Sequence, residues 1–387
     1  VSFAFALIIE APIIMIMSVS TALVTDRNSF LKLRNFTYFL NGLITGIMLI
    51  ILIPGIFYFI TEGLIGLDPA VSIITYQAVF LLLPWPGAIG YRRFYHGILI
   101  RRNLTRRVAY GTVIRLLSMA GTALVLYSFI RPSGALVGAA ALSVGVSMEA
   151  LATRFMARKA VKAILNNEEV SSEKSELSYR EILQFYYPLA LTSLLGLGVQ
   201  PLVTFFLGNS RMALESLAVF PVVHSLVFIF RGIGLSFQEV SIALIGKNNE
   251  NFKMLRNFAF TLGSIHIGSL VMTALTPLSS VWYVQVSGLE PELAMFALLP
   301  TQILSLMPGL TVLLSFQRAV LVINKKSAPI TLGTGMEVTA IFLILLITIR
   351  YLDFIGIIAA AMALIFGRLL ANSYLFYPFS RVLKSDK

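Results

Sequence analysis

Cysteine is absent from the 387 residues, which excludes disulfide staples and thiolate metal sites. Charge is scarce as well: Asp, Glu, Lys and Arg make up 12% of the chain, about half the share in a soluble domain. Three isolated histidines are too few and too scattered for a zinc site. There is no His-Glu-x-x-His motif, no pair of aspartates within an apolar stretch and no Gly-rich phosphate loop. These absences argue against an intramembrane hydrolase and against an ATP-driven pump, so neither an enzymatic activity nor a cofactor is expected.

Apolar side chains fill the space left by charge. Hydrophobic residues are 57% of the chain and mean hydropathy is +0.86. A membrane-spanning helix needs about 20 mostly apolar residues, and eleven such stretches follow one another: 1–24, 35–60, 70–100, 105–129, 134–157, 182–207, 213–245, 255–284, 292–322, 328–349 and 354–379. The expectation is an all-α polytopic membrane bundle.

The net charge of +12 does not imply nucleic acid, because the basic residues sit in alternate loops. Arg27, Lys32 and Arg34 follow the first stretch, Arg101, Arg102, Arg106 and Arg107 the third, and Arg158, Lys159 and Lys162 the fifth. Lys247, Lys253 and Arg256 follow the seventh, Lys325 and Lys326 the ninth, and Arg381, Lys384 and Lys387 the last. The intervening loops hold only Arg131, Arg211 and Arg350 beside acidic Glu62, Asp68, Glu290, Glu292 and Asp353. By the positive-inside rule the basic loops and the C-terminus are cytoplasmic, in a plasma or inner membrane, and Val1 lies outside.

An internal repeat organises the chain. Leu33-Arg34-Asn35-Phe36 recurs as Leu255-Arg256-Asn257-Phe258 and Gly66-Leu67-Asp68-Pro69 as Gly288-Leu289-Glu290-Pro291, both at a shift of 222. Pro86-Gly87, Phe94, Gly111-Thr112, Gly134 and Gly145 match Pro308-Gly309, Phe316, Gly333-Thr334, Gly356 and Gly367 at the same shift. The shift spans six helices, an even number, so the two copies run parallel, as in transporters with two lobes about an axis along the membrane normal. Expected divisions are a lobe over 1–165, a cytoplasmic linker over 166–178 and a second lobe over 179–387. The helix 182–207 has no counterpart in the first copy, and the chain starts without Met inside a hydrophobic run. A twelve-helix parent whose first helix is absent from this sequence is the expectation.

The repeat resembles the MATE-like, or MOP, exporter superfamily of multidrug extruders, polysaccharide and lipid-precursor flippases and progressive ankylosis proteins. Tyr187-Pro188-Leu189-Ala190-Leu191, Pro221-Val222-Val223-His224, Lys247-Asn248-Asn249, Gly97-Ile98-Leu99 and Lys325-Lys326 are similar to segments of the progressive ankylosis family. The resemblance implies a two-lobed bundle working by alternating access, with Na+ or H+ as coupling ion. Multidrug extruders of this kind use carboxylates in the first, seventh or tenth helix of the bundle. Here 182–207 offers Thr192, Ser193, Gln200 and Thr204, and 292–322 offers Gln302, Ser305, Gln317 and Arg318, without an acid in the apolar core of either.

Ionisable groups in spans are costly, by about 2.5 kcal/mol or more at the bilayer centre, and mark cavities or partners. Glu10 falls on Arg231 through the repeat, with a one-residue gap, and Arg115 falls on Glu337. Opposite charges thus occupy equivalent positions twice, which is read either as pairing between lobes or as pairing of each with a neighbour in its own lobe. Pro84 and Pro86 are expected to kink the helix that carries Arg92, Arg93 and His96, a surface for an anionic substrate or a set of arginines reaching lipid headgroups. Arg318 stands where the repeat places His96. Arg154 and Glu239, nearer helix ends, are read as able to snorkel. His224 and Gln200 are read as cleft groups or as packing residues, and the stripe Gly134, Gly138, Ala141 and Gly145 as close helix packing.

The reading that follows is a monomeric secondary transporter in contact with membrane lipids, exporting an organic or phosphate-bearing anion. A cation-coupled antiporter for organic cations, a lipid-linked precursor flippase, and a channel or scaffold are the alternatives.

Overall fold

The computed structural model describes residues 2–64, 67–166, 177–246 and 250–385. Gly66 of the repeated Gly-Leu-Asp-Pro motif, most of the acidic connector, Lys247-Asn248-Asn249 and Lys387 lie outside these described residues. Among the described residues eleven helices are long and apolar enough to cross a membrane: α1 (Phe5–Leu23), α2 (Arg27–Ile51), α3 (Pro69–Arg101), α4 (Thr105–Ile130), α5 (Gly134–Asn166), α6 (Tyr179–Gly208), α7 (Ala213–Leu244), α8 (Phe252–Leu275), α9 (Pro291–Ile323), α10 (Ala328–Tyr351) and α11 (Gly356–Leu383). Each corresponds to one expected stretch, and the chain is a multi-pass membrane protein.

The boundaries differ where local chemistry overrides hydropathy. Helix α2 starts eight residues before the apolar run because Asp26 and Ser29 form a reciprocal capping box. It also stops at Ile51, where the extended backbone of Ile53 precedes Pro54 and a separate short helix, Pro54–Tyr58. Helix α8 ends at Leu275 and Pro277 caps a new turn, so the apolar run to residue 284 is not one helix. Helix α5 runs on to Asn166, with Arg158, Lys159 and Lys162 on its basic extension.

The shift of 222 holds in the backbone. The π-helical turn Phe59–Leu64 recurs at Val281–Val286. Left-handed Asn103 (φ 57°) and Arg131 (φ 51°) recur as Lys325 (φ 56°) and Asp353 (φ 49°). Such conformations are uncommon for non-glycine residues, so their recurrence reports a common local geometry and not a shared composition alone.

Contacts divide the chain into two compact units, Val1–Leu194 and Leu195–Lys387, with the dividing point inside α6. Within unit 1, Ile13, Ile44, Met48, Phe57, Val79 and Trp85 form one apolar core, and the first half of α6 joins this unit through Tyr186, whose hydroxyl donates to the carbonyl of Pro12. In unit 2 the core gathers Leu207, Val223, Leu270, Tyr283, Ile341 and Ile357. Outward faces are apolar too: the helical stretch 105–125 of α4 buries only Gly111 and exposes Leu116, Leu117 and Leu124. Such a surface would drive association in water, whereas in hydrocarbon it is the ordinary lipid-facing side.

The prolines interrupt α3 as expected, and more sharply than a kink. Helix Pro69–Leu81 ends in a turn and Trp85–Arg101 begins afresh, and the repeat-related α9 breaks into Pro291–Phe296, Leu298–Leu304 and Met307–Ile323. Helix α1 tightens to a 3-10 turn over Ala11–Met15, whose second residue is Pro12. Broken helices free backbone groups within the apolar layer, and that is tolerated where protein or a polar cavity satisfies them.

Candidate functional site

In unit 1 two rungs of polar contact join α3 to α5. Arg92 and His96 are four residues apart, as are Glu149 and Thr153, so each pair shares one helix face. Arg92 Nη1 donates to Glu149 Oε2 at 2.5 Å, and His96 Nε2 lies 3.1 Å from Thr153 Oγ1. Arg115, from α4, reaches the same Glu149 Oε2 at 3.9 Å, and His96 Nε2 is 3.8 Å from Glu149 Oε1. Glu149 is 0% exposed, so one carboxylate deep in the unit serves two guanidinium groups. Arg92 is itself buried, which places it in this cluster and not at lipid headgroups.

Glu10 occupies the junction where α1 changes to the 3-10 turn, and its carboxylate accepts from the indole N–H of Trp85 inside unit 1. Arg92, Arg93 and Arg115 all lie within electrostatic reach of Glu10. The guanidinium of Arg154 packs 5.0 Å from the centroid of the Tyr95 ring.

In unit 2 the carboxylate and the cation have exchanged helices. Glu337 on α10 accepts from Arg368 Nε on α11 at 2.7 Å, and Arg368 Nη1 lies 3.3 Å from Thr311 Oγ1. Ala371 and Leu375 stand where the repeat places Glu149 and Thr153, so Arg318, the mate of His96, has no rung to join on α11. It turns to α10 and donates to Thr334 Oγ1 at 2.7 Å. Arg231 and Arg318 both lie within electrostatic reach of Glu337 and Arg368. Glu337 is thus paired with Arg368, and two further arginines lie within electrostatic reach of the pair. The Nε donors of Arg231 and Arg318 are buried without an acceptor among the described residues, as are those of Arg92 and Arg115 in unit 1.

Two candidates remain, and one of them, His224, lies within electrostatic reach of Arg231. His224 sits between the rings of Phe220 and Phe228, at 5.9 and 6.5 Å, and Gln200 is exposed on α6.

Glu149 and Arg368 are the residues that the choice of candidates left out. Both are ionisable groups within spans, but their repeat mates, Ala371 and Val146, are uncharged; the signal that links them is that Val146 and Glu149 lie one turn apart on the same helix face. Glycine explains how the helices come close enough. A Cβ on Gly145 would lie 3.1 Å from the carbonyl oxygen of Arg115, and one on Gly367 would lie 3.0 Å from that of Glu337. The rest of the glycine stripe does not act this way, since Gly134 and Gly138 face open space beyond the region of close approach.

The same fold occurs in solved transporters. An outward-facing multidrug resistance MATE family transporter of the MOP superfamily superposes with a TM-score of 0.77 at 15% identity, over 99% of this chain and 86% of that one. The chain has the MATE fold. A MATE transporter from Vibrio cholerae gives a TM-score of 0.72 at 16% identity, over 98% of this chain and 87% of its own. A MOP superfamily transporter from Pyrococcus furiosus, described as having a binding pocket of reverse polarity that suggests a different function, gives 0.75 at 15% identity over 99% and 86%. No protein-family model and no curated protein sequence matches the chain.

Proposed function

We propose that this protein is a secondary active transporter for a small organic or phosphate-bearing anion, its two lobes exposing a site alternately to the two sides of the membrane. The observation that carries the substrate sign is that Arg368 pairs with Glu337 while Arg231 and Arg318 lie within electrostatic reach of the pair, each with a buried Nε–H that has no acceptor among the described residues. A guanidinium presents its donors in a rigid fork that fits carboxylate and phosphate oxygens, and an unsatisfied donor in an apolar layer is costly until an acceptor arrives. The buried carboxylates Glu149 and Glu337 are already engaged by arginine, whereas buried Glu10 is held by the Trp85 indole. The MATE fold and the parallel repeat support alternating access, Na+ or H+ is the proposed coupling ion, and the basic helix ends support a cytoplasmic C-terminus.

Ligand-dependent thermal stabilisation of the purified protein tests the sign of the substrate. A ligand at 100 times its Kd stabilises the folded state by about 2.7 kcal/mol, so citrate or pyrophosphate should raise the melting temperature and an ethidium-like cation should not. Stabilisation by the cation alone would favour the multidrug reading.

A further inference from the structure

Unit 2 has a groove of about 350 Å³ between α8, α9 and α11, a size in the range of small-ligand sites. Its walls include Phe260, Leu313, Phe376 and Phe379, and its polar lining includes Arg256 and Gln317. It is distinct from the Glu337–Arg368 cluster described above.

The repeat supplies an internal comparison. At the shift of 222, Phe260, Leu313, Gln317 and Phe376 correspond to Tyr38, Tyr91, Tyr95 and Arg154. In unit 1 those four side chains close on one another. The Tyr38 and Tyr95 hydroxyls are 3.0 Å apart, Tyr38 stacks on Tyr91 at 5.9 Å, Tyr91 meets Tyr95 at 4.9 Å, and Arg154 covers Tyr95. Replacement of that polar plug by shorter or apolar side chains accompanies an open, greasy slot at the same place in unit 2. The arginine at its mouth is kept in both copies, as Arg34 and Arg256.

Charge is concentrated at one end of the groove. The ring of Phe252 lies 6.0 Å from that of Phe379 and 5.5 Å from that of Phe316, which brings the start of α8 beside the ends of α9 and α11. Lys253 and Arg256 stand on the first turns of α8, Lys325 and Lys326 follow α9, and Arg381 is on the last turns of α11. Lys253, Arg256 and Arg381 are exposed. An apolar slot that ends under a basic cluster fits an amphiphile with a hydrocarbon tail and an anionic head, and basic pockets between membrane helices are the sites at which acidic lipid headgroups bind.

We propose that this groove is a binding site for an anionic phospholipid, with an acyl chain between Phe260, Leu313 and Phe376 and the headgroup phosphate on Arg256. The test uses the full chain, delipidated in detergent and titrated with phosphatidylglycerol or phosphatidylcholine while bound lipid is counted by native mass spectrometry. The unaltered protein should retain phosphatidylglycerol in preference to phosphatidylcholine. Arg256→Gln should reduce that preference about fivefold, the effect of one basic residue near an anionic headgroup. Ser264→Trp, which fills the slot from an exposed position on its wall, should abolish retention of both lipids at this site. Equal retention of the two lipids by the unaltered protein would overturn the proposal, as would an unchanged preference in Arg256→Gln. Arg256 is exposed, so that variant keeps the fold and decides the matter even if Ser264→Trp does not fold.

Discussion

Arg115 and Glu337 occupy the same position in the two repeats, carry opposite charges, and each faces an oppositely charged partner on the following helix of its own unit. Arg115 approaches Glu149 at 3.9 Å and Glu337 meets Arg368 at 2.7 Å. An ion pair thus joins the same two helices in both units with its polarity reversed, its second member standing at positions one turn apart in the repeat. In each unit a glycine, Gly145 or Gly367, lets the two helices approach beside the pair.

If this pairing is what makes the site tolerable within the membrane, Glu337→Arg and Arg368→Glu should each destabilise unit 2, because two like charges would meet in a poorly solvated place. The double variant recreates the unit 1 orientation and should recover most of the lost stability. Thermal unfolding in detergent measures all three, and a double variant no better than the worse single one would contradict the pairing.

Glu149 serves two arginines, so Glu149→Gln leaves Arg92 buried with its charge uncompensated. A loss of about 3–5 kcal/mol is expected. Arg92→Met in the same background should return part of it, since the orphaned charge is then gone. Denaturant or thermal unfolding of the four proteins gives the coupling energy directly.

Glycine at 145 and 367 is argued from close approach and glycine at 138 is not. Gly145→Ala and Gly367→Ala should each cost about 1–3 kcal/mol by overpacking, because the added Cβ would also run into Met119 Cγ in the first case and meet Ile341 Cγ1 at 2.7 Å in the second. Gly138→Ala, with open space around it, should stabilise α5 by about 0.5–1 kcal/mol through helix propensity. A uniform effect across the three would show that the stripe packs along its whole length.

The fold was largely legible because hydropathy and the shift of 222 are properties of runs, and runs survive small local departures. What escaped depends on single residues. Asp26 and Ser29 start α2 early, Pro54 ends it early, and Pro277 splits the run that begins in α8, none of which alters the average hydropathy of the stretch. In the site, aligning equal positions found Glu10, Arg115, Arg231 and Glu337, whose mates are charged. It did not mark Glu149 and Arg368, ionisable groups within spans whose mates, Ala371 and Val146, are uncharged. The shift also could not tell that Tyr38, Tyr91 and Tyr95 close a slot that Phe260, Leu313 and Gln317 leave open, because closure depends on where rings and hydroxyls meet in space.

The most direct test of the account is uptake into proteoliposomes under an imposed pH or Na+ gradient, with labelled citrate or pyrophosphate in one arm and an ethidium-like cation in the other. Gradient-dependent uptake of the anion, reduced in Arg231→Gln and Arg318→Gln, is the predicted result. Gradient-driven uptake of the cation with none of the anion would contradict it.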